Sequence, residues 1–104
     1  MQKYEIDLAK FRNNQINESV LSWFGTTVKM ILQSMFAGTS MDLTVRGTSA
    51  EIDSFAQTLA REKNYIESFR RHGLDDPITH SNKHKLQQAV RAFEKETNVK
   101  WPFV

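Results

Sequence analysis

One stretch, Thr48–Leu74, constrains the fold of this chain more than any other, because it carries both a start signal and a stop signal for a helix. Thr48 followed three residues later by Glu51 is the capping-box pattern, in which each side chain accepts a hydrogen bond from the other residue's backbone N–H. Gly73 follows a basic last turn and suits the left-handed position after a helix, where Leu74 would fold back as the hydrophobic contact of a Schellman ending. The stretch therefore predicts one long helix.

Apolar residues recur at helical spacing along this predicted helix, so one of its faces should pack against the rest of the chain. The residues on that face are Ile52, Phe55, Leu59, Ile66 and Phe69. Glu62 interrupts the face, and we expect its carboxylate to be partly hydrated or paired.

A second amphipathic helix is predicted over Asn82–Thr97, with Asn98 as its C-cap. Its apolar face consists of Leu86, Ala89, Val90 and Phe93. The turn before it contains Pro77, which disfavours the helical conformation for Asp76. About eight to ten residues would then join the two helices, a length that permits an antiparallel hairpin. We expect Phe69 and Phe93 to be buried between its helices.

Residues 16–36 are the most apolar part of the chain. Placed on a helix, their apolar side chains cover an arc of roughly 240°, whereas a surface helix of a small protein needs only about 100°. The segment is therefore either the central helix of a compact bundle or a protein–protein interface. Membrane-surface binding is disfavoured, since Lys29 is the only cation on the polar face.

Large apolar side chains usually dominate the binding energy of an interface. If residues 16–36 dock on a partner, we expect the anchors to come from this segment and from the aromatic C-terminal end. The predicted protein-interface residues are Trp23, Phe24, Val28, Ile31, Met35, Trp101 and Phe103.

Two shorter segments have alternative interpretations. Residues 1–12 are predicted to form an amphipathic arm, although alternating apolar residues also allow a short strand, and Asn13 and Asn14 indicate a break or a cap. Leu43–Arg46 is a short β-favouring run. It pairs with the N-terminal arm, pairs with another chain, or serves as an extended connector.

Together these patterns predict a mainly α fold: a small helical domain built on an antiparallel helical hairpin, with an apolar N-terminal helix and one short β-like segment. The content of only four glycines and two prolines favours helices over an all-β chain. Within the 104 residues we predict two parts. Residues 1–42 form the N-terminal arm and apolar helix, and residues 43–104 form the hairpin with an extended C-terminal tail.

Composition excludes several classes of function. The absence of cysteine excludes disulfides, thiolate metal sites and cysteine nucleophiles. No apolar run approaches the length of about 18 residues that indicates a membrane-spanning helix, and early charges interrupt any secretory signal. We therefore expect an intracellular protein that is not secreted. No catalytic motif is present, so we expect no enzyme activity and no cofactor.

Two further groups of polar residues have a spacing or charge that suits a binding site. His80 and His84 have a spacing that can ligate a metal, but the zinc-protease pattern is missing, so we expect solvated histidines and no metal.

A basic patch at one end of the hairpin could contact phosphate groups of nucleic acid. That patch would contain Arg70, Arg71, Lys83 and Lys85. Against it, Asp75 and Asp76 share the same corner, and no aromatic residues interleave with the cations.

Several short motifs in the C-terminal part form a recognisable series. They are Gly47-Thr48, Glu62-Lys63 with Tyr65, Gly73-Leu74 with Asp76-Pro77, and Trp101-Pro102-Phe103. This series resembles short proteins encoded by tailed phages of the T4 type, a family without an established activity. The resemblance implies a phage origin, and with it either a small virion component or a factor that acts on host or viral machinery. The motifs are structural, so no functional residue carries over.

The sequence thus leads us to predict a non-enzymatic protein–protein interaction protein, a small phage virion or assembly component located in the infected host or the virion. Its partners would be other virion subunits or a second copy of itself. The alternatives are a small nucleic-acid-binding regulator and a phage-encoded inhibitor of a host protein.

Overall fold

The computed structural model describes residues 3–12 and 18–103. Along this part of the chain the elements are β1 (Lys3–Asp7), α1 (Ala9–Arg12), α2 (Glu18–Ala37), β2 (Asp42–Arg46), α3 (Ser49–His72) and α4 (Pro77–Thr97). The structure is mainly helical, as the sequence predicts. The break predicted at Asn13 and Asn14 lies outside the described residues.

The two strands form a parallel sheet, so the β-like segment pairs with the N-terminal arm. Their register runs from Lys3 opposite Asp42 to Asp7 opposite Arg46. Alternation places Ile6 fully in the core, while the residues that flank it along β1 face outward or lie at the edge. The Asp7 carboxylate then accepts a hydrogen bond from the Ala9 N–H at 3.0 Å and starts α1.

The capping box at the start of α3 is confirmed. Thr48 Oγ1 accepts from the Glu51 N–H at 3.2 Å, and Glu51 Oε1 accepts from the Thr48 N–H at 2.8 Å. A Cβ on Gly47 would lie 2.9 Å from Glu51 Oε1, so glycine at this position leaves room for the capping carboxylate. At the other end, Gly73 has φ 83° and donates its N–H to the Phe69 carbonyl. Leu74 is exposed, so the expected Schellman contact is wrong.

Helix α4 begins at Pro77, five residues before the predicted start at Asn82. Asp76 is its N-cap, and its carboxylate accepts from the Ile78 N–H at 2.8 Å. Pro77 occupies the first helical position, where a missing N–H costs nothing. The connection to α3 is therefore only residues 73–76, shorter than expected. At the far end Asn98 adopts the left-handed conformation with φ 66° and caps the helix as predicted.

Helices α3 and α4 pack against each other along their lengths. Thr58 Oγ1 donates to the Ala89 carbonyl at 3.2 Å. The Asn82 amide donates to Ser68 Oγ. Thr58 lies in the first half of α3 and Ala89 in the second half of α4, whereas Ser68 lies in the second half of α3 and Asn82 in the first half of α4.

One hydrophobic cluster fills the centre of the molecule, and aromatic rings form most of it. Phe24 stacks on Phe93 with ring centroids 5.9 Å apart and planes 7° apart. Phe11, Phe55 and Trp101 surround this pair at centroid distances of 5.5 to 6.3 Å from Phe24. The other buried members are Ile6, Leu8, Val28, Ile31, Leu32, Leu59 and Val99. The cluster draws on both predicted parts, residues 1–42 and 43–104.

Candidate protein-binding groove

An open groove of about 380 Å³ runs between α2 and α3. Helices α2 and α3 approach each other closely at few positions, and the buried face of α2 contributes Phe24, Val28 and Ile31 to the hydrophobic cluster. The lining is mostly aromatic and aliphatic, with cations and one carboxylate. It comprises Lys29, Leu32, Gln33, Phe36, Glu62, Tyr65, Ile66, Phe69, Arg70 and Phe103. We call this the α2–α3 groove.

The walls of the α2–α3 groove are aromatic, and its rim is cationic. On α3, the rings of Tyr65 and Phe69 meet edge to face with centroids 5.5 Å apart. On α2, the Phe36 ring has the Arg70 guanidinium 4.7 Å from its centroid and Lys63 Nζ at 5.9 Å. The Arg70 contact places positive charge beside an apolar surface, whereas the Lys63 ammonium is also paired with the Glu67 carboxylate at 3.0 Å.

Glu62 lies at the floor of the groove and is 3% exposed. Its Oε1 accepts a hydrogen bond from Trp101 Nε1 at 2.9 Å, so the carboxylate is paired, one of the two states expected from the sequence. Burial raises the pKa of Glu62 above its ordinary value of 4.5, and the Trp101 hydrogen bond offsets part of that rise. Folding therefore makes ionisation of Glu62 less favourable than it is in the unfolded chain.

Glu62→Gln is expected to increase the free energy of unfolding at pH 7. The folded-state pKa lies above the unfolded one, so the contribution of Glu62 is full below about pH 4.5 and is lost as pH rises through the folded pKa. Glutamine cannot ionise and still offers Trp101 an acceptor. Urea denaturation from pH 4 to 7 should show the advantage of the variant shrinking toward low pH. Glu96→Gln, at an exposed site, is the control. A lower stability of Glu62→Gln at pH 7 would contradict this account.

Four of the predicted interface residues are core residues instead. Phe24, Val28 and Ile31 are at most 1% exposed, and Trp101 is 5% exposed. The rings that cover Phe24 come from α1, α3, α4 and the chain after α4, and the helical periodicity of residues 16–36 does not identify these partners. These four side chains are therefore not available as anchors on the folded surface.

The other three predicted interface residues lie in different places. Trp23 is 48% exposed and borders a separate cavity of about 320 Å³ between α1 and the start of α2. Met35 is half-buried against the hydrophobic cluster. Phe103 is also half-buried and lines the α2–α3 groove. Of the predicted anchors that remain accessible, Phe103 alone lies in this groove.

The structure does not gather the predicted basic residues onto one face. All four side chains are exposed, and Arg70 lies over Phe36 in the α2–α3 groove. Lys83 and Lys85 are two positions apart on α4, which places them roughly 160° apart around the helix axis. Lys83 and Lys85 therefore leave α4 in different directions.

Sites for metals and membranes are also not seen in the described part of the chain. Within residues 3–12 and 18–103, no three His, Asp or Glu side chains are grouped so that they could hold a metal ion. In the same ranges, no helix combines the length and apolarity that crossing a bilayer requires. His84 lies on the exposed face of α4, 3.2 Å from the Gln88 amide.

Comparison with protein-family models, curated proteins and solved structures finds no match to this chain. Of the residues that line the α2–α3 groove, Phe103 and Arg70 were predicted as site residues, and Phe36 and Tyr65 were not. The available signal was the apolar stripe of α3, which continues through Ile66 toward the helix end.

Proposed function

We propose that this chain is a non-enzymatic protein-binding protein whose α2–α3 groove receives apolar side chains of a protein partner. The observation that carries the proposal is an open groove with aromatic walls and an arginine at its rim. Aromatic residues and arginine are the types most enriched at protein interfaces and at their energetic hot spots. Phe103, one of the predicted anchors, lines this groove.

We infer that α3 and α4 form the antiparallel hairpin predicted from the sequence. The Thr58–Ala89 and Asn82–Ser68 hydrogen bonds support this, since they pair early with late residues of the two helices. The hairpin would give one wall of the groove a rigid backing, and the apolar helix α2 would supply the other. Sites held on packed helices keep their geometry better than sites on loops.

We propose virion proteins of a T4-type phage as the partner class, with the chain acting as a small virion or assembly component. The support is the motif series that ends in Trp101-Pro102-Phe103. An inhibitor of a host protein is the second candidate, because the same groove would serve it. A nucleic-acid-binding role has less support, because the predicted basic residues do not share a face.

The test compares Phe69→Asp, which places a charge in the groove wall, with Ile78→Asp, which does the same on an exposed part of α4. Each variant replaces the native chain during infection by the encoding phage. Mass spectrometry of purified particles should find the native chain and Ile78→Asp, with Phe69→Asp depleted on the order of tenfold, matching loss of one interface hot spot.

Three outcomes distinguish the alternatives. Absence of the native chain from particles would overturn the virion role. If the native chain instead co-purified with one host protein and Phe69→Asp did not, the inhibitor role would hold. Equal incorporation of the two variants would rule out the α2–α3 groove as the binding site.

A further inference from the structure

Strand β2 has a free edge in the described part of the chain. Its pairing partner there is β1, and its main packing is also with β1. The Leu8 N–H donates to the Arg46 carbonyl at 2.7 Å, so the backbone of Arg46 faces β1. Successive residues of a strand direct their backbone groups to opposite edges. Leu43 and Val45 therefore direct their N–H and C=O groups away from β1, toward the free edge.

The sequence of β2, Asp-Leu-Thr-Val-Arg, is complementary to itself in the antiparallel direction. If two copies pair about Thr44, Asp42 lies opposite Arg46 of the second copy, and Leu43 lies opposite Val45. In this register the hydrogen-bonded pairs are those of Leu43 with Val45, the two residues whose backbone groups face outward. Opposite charges and apolar pairs across strands both stabilise a sheet.

The charges on the outer face of the sheet favour this register over others. Arg46 already bonds the Glu5 carboxylate at 3.1 Å, with both side chains more than half exposed. In the antiparallel pair Arg46 would lie between Glu5 and Asp42 of the second copy. Parallel pairing would instead set Asp42 against Asp42. An antiparallel pair of β1 strands would set Glu5 against Glu5, and like charges directly opposite destabilise a sheet.

The apolar face of β2 provides a further reason for pairing. Leu43 and Val45 are only half-buried, whereas Ile6 on β1 is fully buried. Added strands on the free edge would cover part of these two side chains. Two-stranded sheets are marginal by themselves, and a sheet of three or more strands with a hydrophobic face is more stable.

We propose that this chain forms a two-fold symmetric dimer by antiparallel pairing of β2 with β2 of a second copy, with the axis at Thr44. The result is a continuous four-stranded sheet, and each copy contributes the same surface, as two-fold symmetry requires. The dimer surface is separate from the α2–α3 groove, so neither proposal depends on the other.

Cysteine crosslinking tests the register, and the native chain contains no cysteine. In the proposed pair, the two Thr44 Cβ atoms lie about 5 Å apart, within reach of a disulfide after small adjustments. Asp42 is exposed on the same strand, but its counterpart in the second copy is four residues away along the strand, roughly 13 Å. Thr44→Cys and Asp42→Cys are therefore a matched pair.

Under mild oxidation, Thr44→Cys should form a disulfide-linked dimer on the order of tenfold faster than Asp42→Cys, because pairing holds the thiols together. A mixture of Asp42→Cys and Arg46→Cys should also form the mixed disulfide. Equal rates for Thr44→Cys and Asp42→Cys would overturn the proposal.

Sedimentation of the native chain tests the dimer without a crosslink. Its mass should rise with concentration from 12.1 kDa toward twice that value. Val45→Pro removes an N–H from the free edge and leaves the β1 ladder intact, so this variant should stay monomeric with unchanged helical circular dichroism. A native chain that remains monomeric at all concentrations, or a Val45→Pro variant that dimerises equally, would overturn the proposal.

Discussion

A fragment of residues 43–104 is expected to be unfolded in isolation. In the full chain, the buried aromatic residues Phe55 and Phe93 of this part pack against Phe24, and Phe24 also contacts Phe11. The fragment would lose β1, α1 and α2, and with them the larger share of the hydrophobic cluster. Burying one large apolar side chain stabilises a fold by about 1.5–3 kcal/mol, so losing several exceeds the usual stability of a small domain.

Far-ultraviolet circular dichroism and thermal melting of the fragment check this expectation. The expected result is little helix and no cooperative transition, beside a cooperative transition for the full chain. A helical fragment that melts cooperatively would show that residues 43–104 form a separate domain, as the predicted division into 1–42 and 43–104 implies.

Phe93→Ala is expected to destabilise the full chain by about 3–5 kcal/mol, the range measured for phenylalanine truncations in other protein cores. Phe93 is 0% exposed and contacts three other rings: Phe24, Phe55 and Trp101. Its removal leaves a cavity at the centre of the cluster, where the surrounding rings cannot close in without losing their contacts. The expected loss is a large fraction of the total stability of a domain of this size.

Phe69→Ala is the matched control, since sequence analysis expects both phenylalanines to be buried between the hairpin helices. In the structure Phe69 is half-buried and lines the α2–α3 groove, so water can occupy the vacated space. We expect a cost of only about 1 kcal/mol, the ordinary value for a substitution at a partly exposed site. Urea denaturation with unchanged m-values measures both variants. Similar losses for the two would mean that Phe69 is also a core residue.

Local sequence signals predict a helix boundary well when the residues at that boundary are compatible with only one kind of helix end. Thr48 and Glu51 start α3, and Asn98 ends α4, because capping depends on residues close in sequence. Pro77 shows the opposite case. Proline disfavours helix in the residue before it, but it is also common at the first position of a helix. The prediction for Pro77 used only the first of these two preferences. Asp76 with Pro77 is a helix start as valid as the polar stretch after it.

The sequence could not decide whether the apolar residues of α2 belong to the core or to an interface. Helical periodicity shows that a side chain is covered, but it does not show which residues cover it. The apolar arc that contains Phe24, Val28 and Ile31 is wider than a surface helix of one small chain needs. The missing cover comes from β1 and α1, from rings of α3 and α4, and from Trp101, and these groups meet α2 only in the folded chain. Trp23 is 48% exposed, and no local signal separates it from the buried Phe24 beside it.

The α2–α3 groove was only partly predictable for the same reason. Phe69 and Arg70 can be placed at the end of the apolar face of α3 from the sequence. Predicting a groove there also requires the position of α2, because α2 determines how much of that face is covered. The link from Glu62 to Trp101 joins residues far apart in sequence. Sequence analysis predicted a paired or hydrated Glu62, and no local pattern identified the indole as its partner.

The parallel pairing of β1 with β2 has a consequence for how the chain folds. The contacts between α3 and α4 close a short loop, whereas the pairing of Lys3 with Asp42 encloses all of α2. Long loops cost more entropy to close, so the two long helices should associate before the sheet forms. Contacts that form after the rate-limiting step affect the unfolding rate and have little effect on the folding rate. Weakening β1 should therefore shorten the lifetime of the folded molecule while leaving its refolding rate nearly unchanged.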